Sequence, residues 1–152
     1  MNWFVEMIKN PFLLTALSSW GIAQILKTII HTIVNKKFDP LRMVGDGGMP
    51  SGHSATVSSL AVISGLYYGP ESFQFGIALV LAIIVCHDAM GVRLETGKQA
   101  VVINDLLESL DALTKGKFTD VELKEFVGHT PIQVVAGIIV GIVNAMIMYR
   151  IL

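Results

Sequence analysis

Apolar residues fall into four long runs: Phe12–Val34, Ser51–Tyr68, Phe73–Val92 and Ile132–Leu152. About 20 consecutive apolar residues cross a hydrocarbon layer of about 30 Å. The second run is short for a span. Its small residues (Ser54, Ala55, Ser58, Ser59, Ala61, Ser64, Gly65) suit close helix contact in lipid. Ahead of the first run, Trp3 and Phe4 form a partly amphipathic lead-in of the kind that sits at a membrane interface, and Pro11 opens the helix. Gly69-Pro70-Glu71-Ser72 is a tight turn between the second and third runs. The stretch 94–128 is different, holding most of the acidic residues and four lysines. Val101, Val102, Asp105, Leu106, Leu110 and Leu113 are spaced as on an amphipathic helix. Lys115-Gly116-Lys117 breaks that helix, and Thr119-Asp120-Val121-Glu122 offers a capping box for a short one through Phe126. The pattern predicts one all-α domain over 1–152. It is a polytopic membrane helical bundle of about four transmembrane helices, with an amphipathic helical insertion.

Composition supports the membrane reading. Of 152 residues, 53% are hydrophobic and 15% charged, with a mean hydropathy of +0.64, well above a soluble domain. Glu6, Lys9 and the length of the first run predict a retained membrane helix rather than a cleavable signal peptide. A net charge of −1 gives no electrostatic basis for binding nucleic acid. The single Cys86 excludes an internal disulfide and a cysteine-based zinc site and reads as a packing residue. Gly137 and Gly141, four apart in the last run, form a common helix-packing device. Four spans make a thin bundle, so a homodimer is expected, with these glycines as candidate contacts.

Ionisable residues within the runs carry the chemistry. Lys27 lies one turn from both Gln24 and His31, so the three share a face. A lysine within a span usually faces a protein interior. Met49-Pro50-Ser51-Gly52-His53 follows the glycine-rich Gly45-Asp46-Gly47-Gly48 and opens the second run. Glycines permit close backbone approach, and the first amides of a helix have no internal partner and favour anions. Ser51 adds a hydroxyl, and His53 a group that titrates near neutrality. Because spans alternate in direction, the connections 35–53 and 93–131 lie on one side of the membrane. That side gathers Lys27, Arg42, Ser51, His53, Asp88, Arg93 and His129. A metal site from His87, Asp88, Asp46 and a further histidine matches no standard ligand spacing.

Three motifs occur in order: Gly-Gly-Met-Pro-Ser-Gly-His-Ser-Ala ending at Ala55, His87-Asp88-Ala89-Met90-Gly91-Val92-Arg93, and Gly128-His129-Thr130-Pro131 running into Val134-Val135-Ala136-Gly137. Together they resemble the phosphatidic acid phosphatase type 2 and vanadium haloperoxidase superfamily, in its divergent bacterial and plant branch. The resemblance implies a helical bundle that hydrolyses phosphoesters through a phosphohistidine, with no metal or other cofactor. Carried over, His129 is the nucleophile and His53 the acid that protonates the leaving oxygen. Ser51 and the Gly52 amide hold phosphoryl oxygens, and Arg93, Arg42 and Lys27 supply positive charge. The departures are specific. Arg93 is separated from His129 by the insertion rather than lying six residues ahead of it. Arg42 precedes Met43 instead of proline, and Lys36 is one residue too close to it. Gln133 stands where the family has a carboxylate four residues after the nucleophile, and Asp88 is the candidate to replace that carboxylate.

The expected function is a membrane phosphatase for a lipid-linked phosphate or pyrophosphate, with membrane lipids around it. The alternative is a non-catalytic protein on the same fold that binds or transports a lipid phosphate. The family implies a bacterial cell membrane. The excess of lysines on the site side places that side in the cytoplasm by the positive-inside rule.

Overall fold

The computed structural model describes residues 2–36, 48–114, 123 and 129–152. These form six helices: α1 (Trp3–Ile8), α2 (Pro11–Asn35), α3 (Gly52–Tyr68), α4 (Phe73–Met90), α5 (Val92–Thr114) and α6 (Pro131–Ile151). Among the described residues there is no strand. The helix starts have local causes. The Asn10 side chain accepts from the Phe12 and Leu13 amides, with Pro11 as the first helical residue. Ser51 and Ser72 cap α3 and α4 by accepting from the Ser54 and Phe75 amides.

Three stretches are long and apolar enough to cross a membrane: Pro11–Asn35, Phe73–Ser109 and Pro131–Ile151. The second predicted span is not among them. At 17 residues, α3 is about 25 Å long, shorter than the hydrocarbon layer. It lies at the centre of the bundle and packs against α2, α4 and α6. The third predicted span ends at Met90, and the helix resumes at Val92, so the insertion continues it across a break at Gly91. In the insertion, Asn104 donates to the Leu123 carbonyl and accepts from the Leu123 amide, which pins the returning chain to α5. The capping box at Thr119 and most of the short helix after it lie outside the described residues.

The bundle keeps its small and polar residues inside and its large apolar ones outside. Val80, Ile83, Ile84, Ile139, Val143 and Ile147 are all more than half exposed. The buried positions are mostly alanine, serine and threonine. In lipid this arrangement is favourable, because tails solvate the large side chains while small ones let backbones approach. A Cβ on Gly137 would collide with the Ser51 carbonyl oxygen, and one on Gly141 with Ser58 Oγ and the Ala55 carbonyl oxygen. Both glycines are thus used within one chain, against α3, and are not available as a dimer contact. A second tie joins α2 to α6. The buried Asn144 Nδ2 lies 2.7 Å from Ser19 Oγ, 2.9 Å from Ser18 Oγ and 3.2 Å from the Thr15 carbonyl.

The two ends of the bundle differ. At one, Phe12 stacks on Tyr68 with centroids 5.3 Å apart, and Tyr67 meets Tyr149 edge-on at 5.2 Å. At the other, the C-terminal ends of α2 and α4 meet the N-terminal ends of α3 and α6, and the polar residues converge there.

Replacing Gly137 with alanine should force α3 and α6 apart and cost about 1–3 kcal/mol by overpacking. Gly76→Ala, where a Cβ meets nothing within 4 Å, should be neutral or stabilise by about 0.5–1 kcal/mol through helix propensity. Thermal unfolding of the two variants in detergent checks the contrast.

Candidate active site

The site is assembled by main-chain contacts between helix ends. The Ser51 amide, one residue before α3, donates to the Gln133 carbonyl in the first turn of α6 at 2.9 Å. The His129 amide donates to the Ala89 carbonyl near the end of α4 at 3.0 Å. These bonds set the starts of α3 and α6 side by side and place His53 and His129 with ring centroids 6.4 Å apart and planes tilted by 59°. His129 is only 4% exposed, whereas His53 is exposed. One imidazole therefore forms the floor of the site and the other its mouth.

Gln133 defines the state of His129. Its Oε1 accepts from the Thr130 amide at 3.1 Å and lies 3.2 Å from His129 Nδ1. A backbone N–H can only donate, so it fixes the side-chain oxygen, not the NH₂, at this point. His129 Nδ1 must then carry the proton and donate to that oxygen. In the neutral imidazole, Nε2 then carries the lone pair. Gln133 thus performs the orienting half of what a carboxylate does beside a catalytic imidazole, without the charge.

Around this pair, Lys27 is 5% exposed, a cation drawn into the bundle on the buried face of α2. Its stem lies against the Gly48 backbone, where an added Cβ would sit 3.3 Å from Cγ. Gln24 is buried on the same face beside Gly52, and its Oε1 meets no hydrogen-bond partner. Ser51 Oγ is fully buried and accepts from the Ser54 amide and the Ser54 hydroxyl. In this conformation its work is to start α3. Gly52 packs against Trp20, with space for a Cβ only at 3.3 Å from the indole. Asp88 is half-buried at the end of α4, next to the residue whose carbonyl holds His129. Arg42 and Asp46 lie outside the described residues. Arg93 has its backbone in α5, and its side chain is outside the description.

From the sequence, a neutral amide at the family's acidic position can orient the imidazole but adds little charge stabilisation, and Gln133 Oε1 lies within hydrogen-bond distance of His129 Nδ1. The signal was present in its four-residue spacing from His129, which places both on one face of the α6 entrance. Nitrogen chemical shifts of the labelled protein should show a single His129 tautomer with the proton on Nδ1. Gln133→Ala should release about 1 kcal/mol of preference, about a fivefold ratio, and mix the two tautomers.

The chain matches the family described as "Divergent PAP2 family" over residues 8–144. It is 35% identical over 153 residues to the "Uncharacterized membrane protein YuiD" of Bacillus subtilis (strain 168), a similarity that covers 95% of this chain and 97% of that protein. No solved structure matches at a significant level. All three motifs and the paired histidines fall within the matched residues, and the chain belongs to the Divergent PAP2 family.

Proposed function

We propose that the chain is a membrane-embedded phosphatase that hydrolyses a lipid-linked phosphate or pyrophosphate through a phosphohistidine. The observation that carries this reading is the facing pair His53 and His129, with the His129 proton held on Nδ1 by a fixed amide oxygen. Nε2 of His129 attacks phosphorus. The bond to the lipid oxygen breaks, and that oxygen leaves with a proton from His53. Water then attacks the phosphohistidine while His53 takes its proton. Phosphate departs, and both imidazoles return to their starting state. Phosphoryl transfer needs little from a protein beyond alignment and positive charge near the equatorial oxygens. Lys27, Arg42, Arg93 and the first amides of α3, including that of Gly52, are the groups assigned to that charge, and Ser51 stands at the same helix start.

The neutral Gln133 favours a slower catalyst, because a carboxylate would stabilise the imidazolium as well as orient it. The same residue keeps a second reading open: a lipid-phosphate binder or transporter on this fold. Asp88, beside Ala89, is the acid placed to supply the missing charge. The connections at the site end carry Lys36, Lys37, Lys98, Lys115, Lys117 and Lys124, against Lys9 and Arg150 at the other end. The site therefore faces the cytoplasm by the positive-inside rule.

Purified protein assayed with lipid phosphates and pyrophosphates should release phosphate in the presence of EDTA. His129→Ala should abolish release, and His53→Ala should slow it about 10²–10⁴-fold, the usual share of general acid–base catalysis. Gln133→Glu should raise the rate by about fivefold, since a hydrogen bond to a charged group exceeds a neutral one by about 1 kcal/mol. Absence of release from every lipid by the wild type would favour the binder.

A further inference from the structure

Gln24, one turn before Lys27 on the buried face of α2, is 7% exposed. Lys27 has an interaction of its own, whereas no described residue hydrogen-bonds the Gln24 amide, and its Oε1 is sealed from solvent without a donor. An apolar side chain of the same shape would avoid the cost of that unmet acceptor. The orphan therefore calls for an explanation. A sealed lone pair is less costly than a sealed N–H, so the amide turns its oxygen inward and keeps Nε2 as its open end. Packing sets what that end lies beside. The Gln24 amide carbon is 4.0 Å from where a Cβ on Gly52 would stand, and the Trp20 indole, one turn earlier, is 3.3 Å from it. Gly52 is the first residue of α3, a helix of 17 residues. The Ser54 amide donates to Ser51 Oγ and the Ala55 amide to the Ser51 carbonyl. The amides of Gly52 and His53 precede every intrahelical acceptor. Gln24 thus brings an NH₂ group to a helix start that still has donors to give.

We propose that Gln24 is a phosphate-binding residue, whose Nε2 donates to an oxygen of a phosphoryl group seated on the Gly52 and His53 amides. A helix start favours anions in general and selects none in particular. A side-chain donor from a second helix makes the site directional. Two backbone donors on α3 and one amide on α2 suit a tetrahedral group with several acceptor oxygens. The donors are neutral, so the contact avoids the desolvation cost of another buried charge. Their bonds strengthen as negative charge grows on the phosphoryl oxygens during transfer. The contact also gives position 52 a reason to be glycine, because a side chain there would fill the space between the amide and the helix start. Trp20, the neighbouring wall, is 45% exposed, so this side of the site borders lipid. A free phosphate and a phosphate carried on a lipid offer the same oxygens to Gln24.

The inference rests on the phosphatase reading for why a phosphoryl group comes to this site, but binding alone tests it. The full chain in nanodiscs of neutral phosphatidylcholine is titrated with inorganic phosphate at mildly alkaline pH. The same chain carrying His129→Ala is titrated with phosphatidic acid. Gln24→Met, which keeps the size of the side chain and removes the donor, should weaken each ligand that binds by about 10-fold, the scale of one hydrogen bond to a charged group. Its thermal unfolding should stay level or rise, because the orphan acceptor is gone. Gln24→Glu offers acceptors only and should weaken binding further through like charge. It decides the matter if the methionine variant fails to fold. Phosphatidic acid bound and then weakened, where free phosphate does not bind at all, names the lipid as the source of the phosphate. Equal binding by Gln24 and Gln24→Met, undiminished binding by Gln24→Glu, or no binding of either ligand overturns the proposal. So does a loss confined to phosphatidic acid when both ligands bind, since that places Gln24 at the lipid linkage. Weakened binding by both variants in a protein that releases no phosphate as wild type would keep Gln24 in the site and remove the phosphatase.

Discussion

The approach of two backbones, α3 and α6, governs the rest of the molecule. The Ser51 amide bonds to the Gln133 carbonyl, and one turn later Gly137 lets the Ser51 carbonyl come closer than any side chain would allow. Gly141 repeats the contact a turn further, against Ser58 and Ala55. A hydrogen bond at the end of a membrane bundle gains from the scarcity of competing water. It holds only if the helices behind it stay close. The glycines supply that closeness, and the histidine pair is its consequence. Neither histidine sits on a flexible loop: His53 is in the first turn of one helix and His129 two residues ahead of the other.

The interior of the bundle has little to do with a conventional hydrophobic core. Ile63 and Val134 are the largest fully buried apolar side chains, and serines and threonines fill much of the rest. Their hydroxyls mostly bond back to the preceding turn, as Ser58 does to the Ser54 carbonyl and Thr56 to that of Gly52. Such residues bury no unmet polar group while keeping the helix surface flat. Asn144 links helices instead, because its amide reaches across to α2. A bundle built this way tolerates polar groups at its site end, since the surrounding interior is already partly polar.

Much of this was legible in the chain. Runs of apolar residues, the turn at Gly69-Pro70 and the reversal of direction at each helix sufficed to bring the two connections to one side. Placing Gln24, Lys27 and His31 on a common face needed only the helical period. Other features were not legible, for identifiable reasons. Hydropathy shows α3 only as a short, serine-rich run, and its place at the centre of the bundle comes from the packing against α2, α4 and α6. Gly137 and Gly141 carry the same pattern whether they meet another chain or another helix of their own, and only the packing assigned them to α3. Ser51 was read as a phosphate ligand from its place in the motif. The structure adds that its buried hydroxyl caps α3, a role that the same position predicts as well.

Gln133 connects these observations. A carboxylate in its place would orient His129 and also stabilise its imidazolium. The amide does the orienting alone, so on the phosphatase reading the charge of the reacting state falls to Asp88, half-buried beside the residue whose carbonyl holds His129.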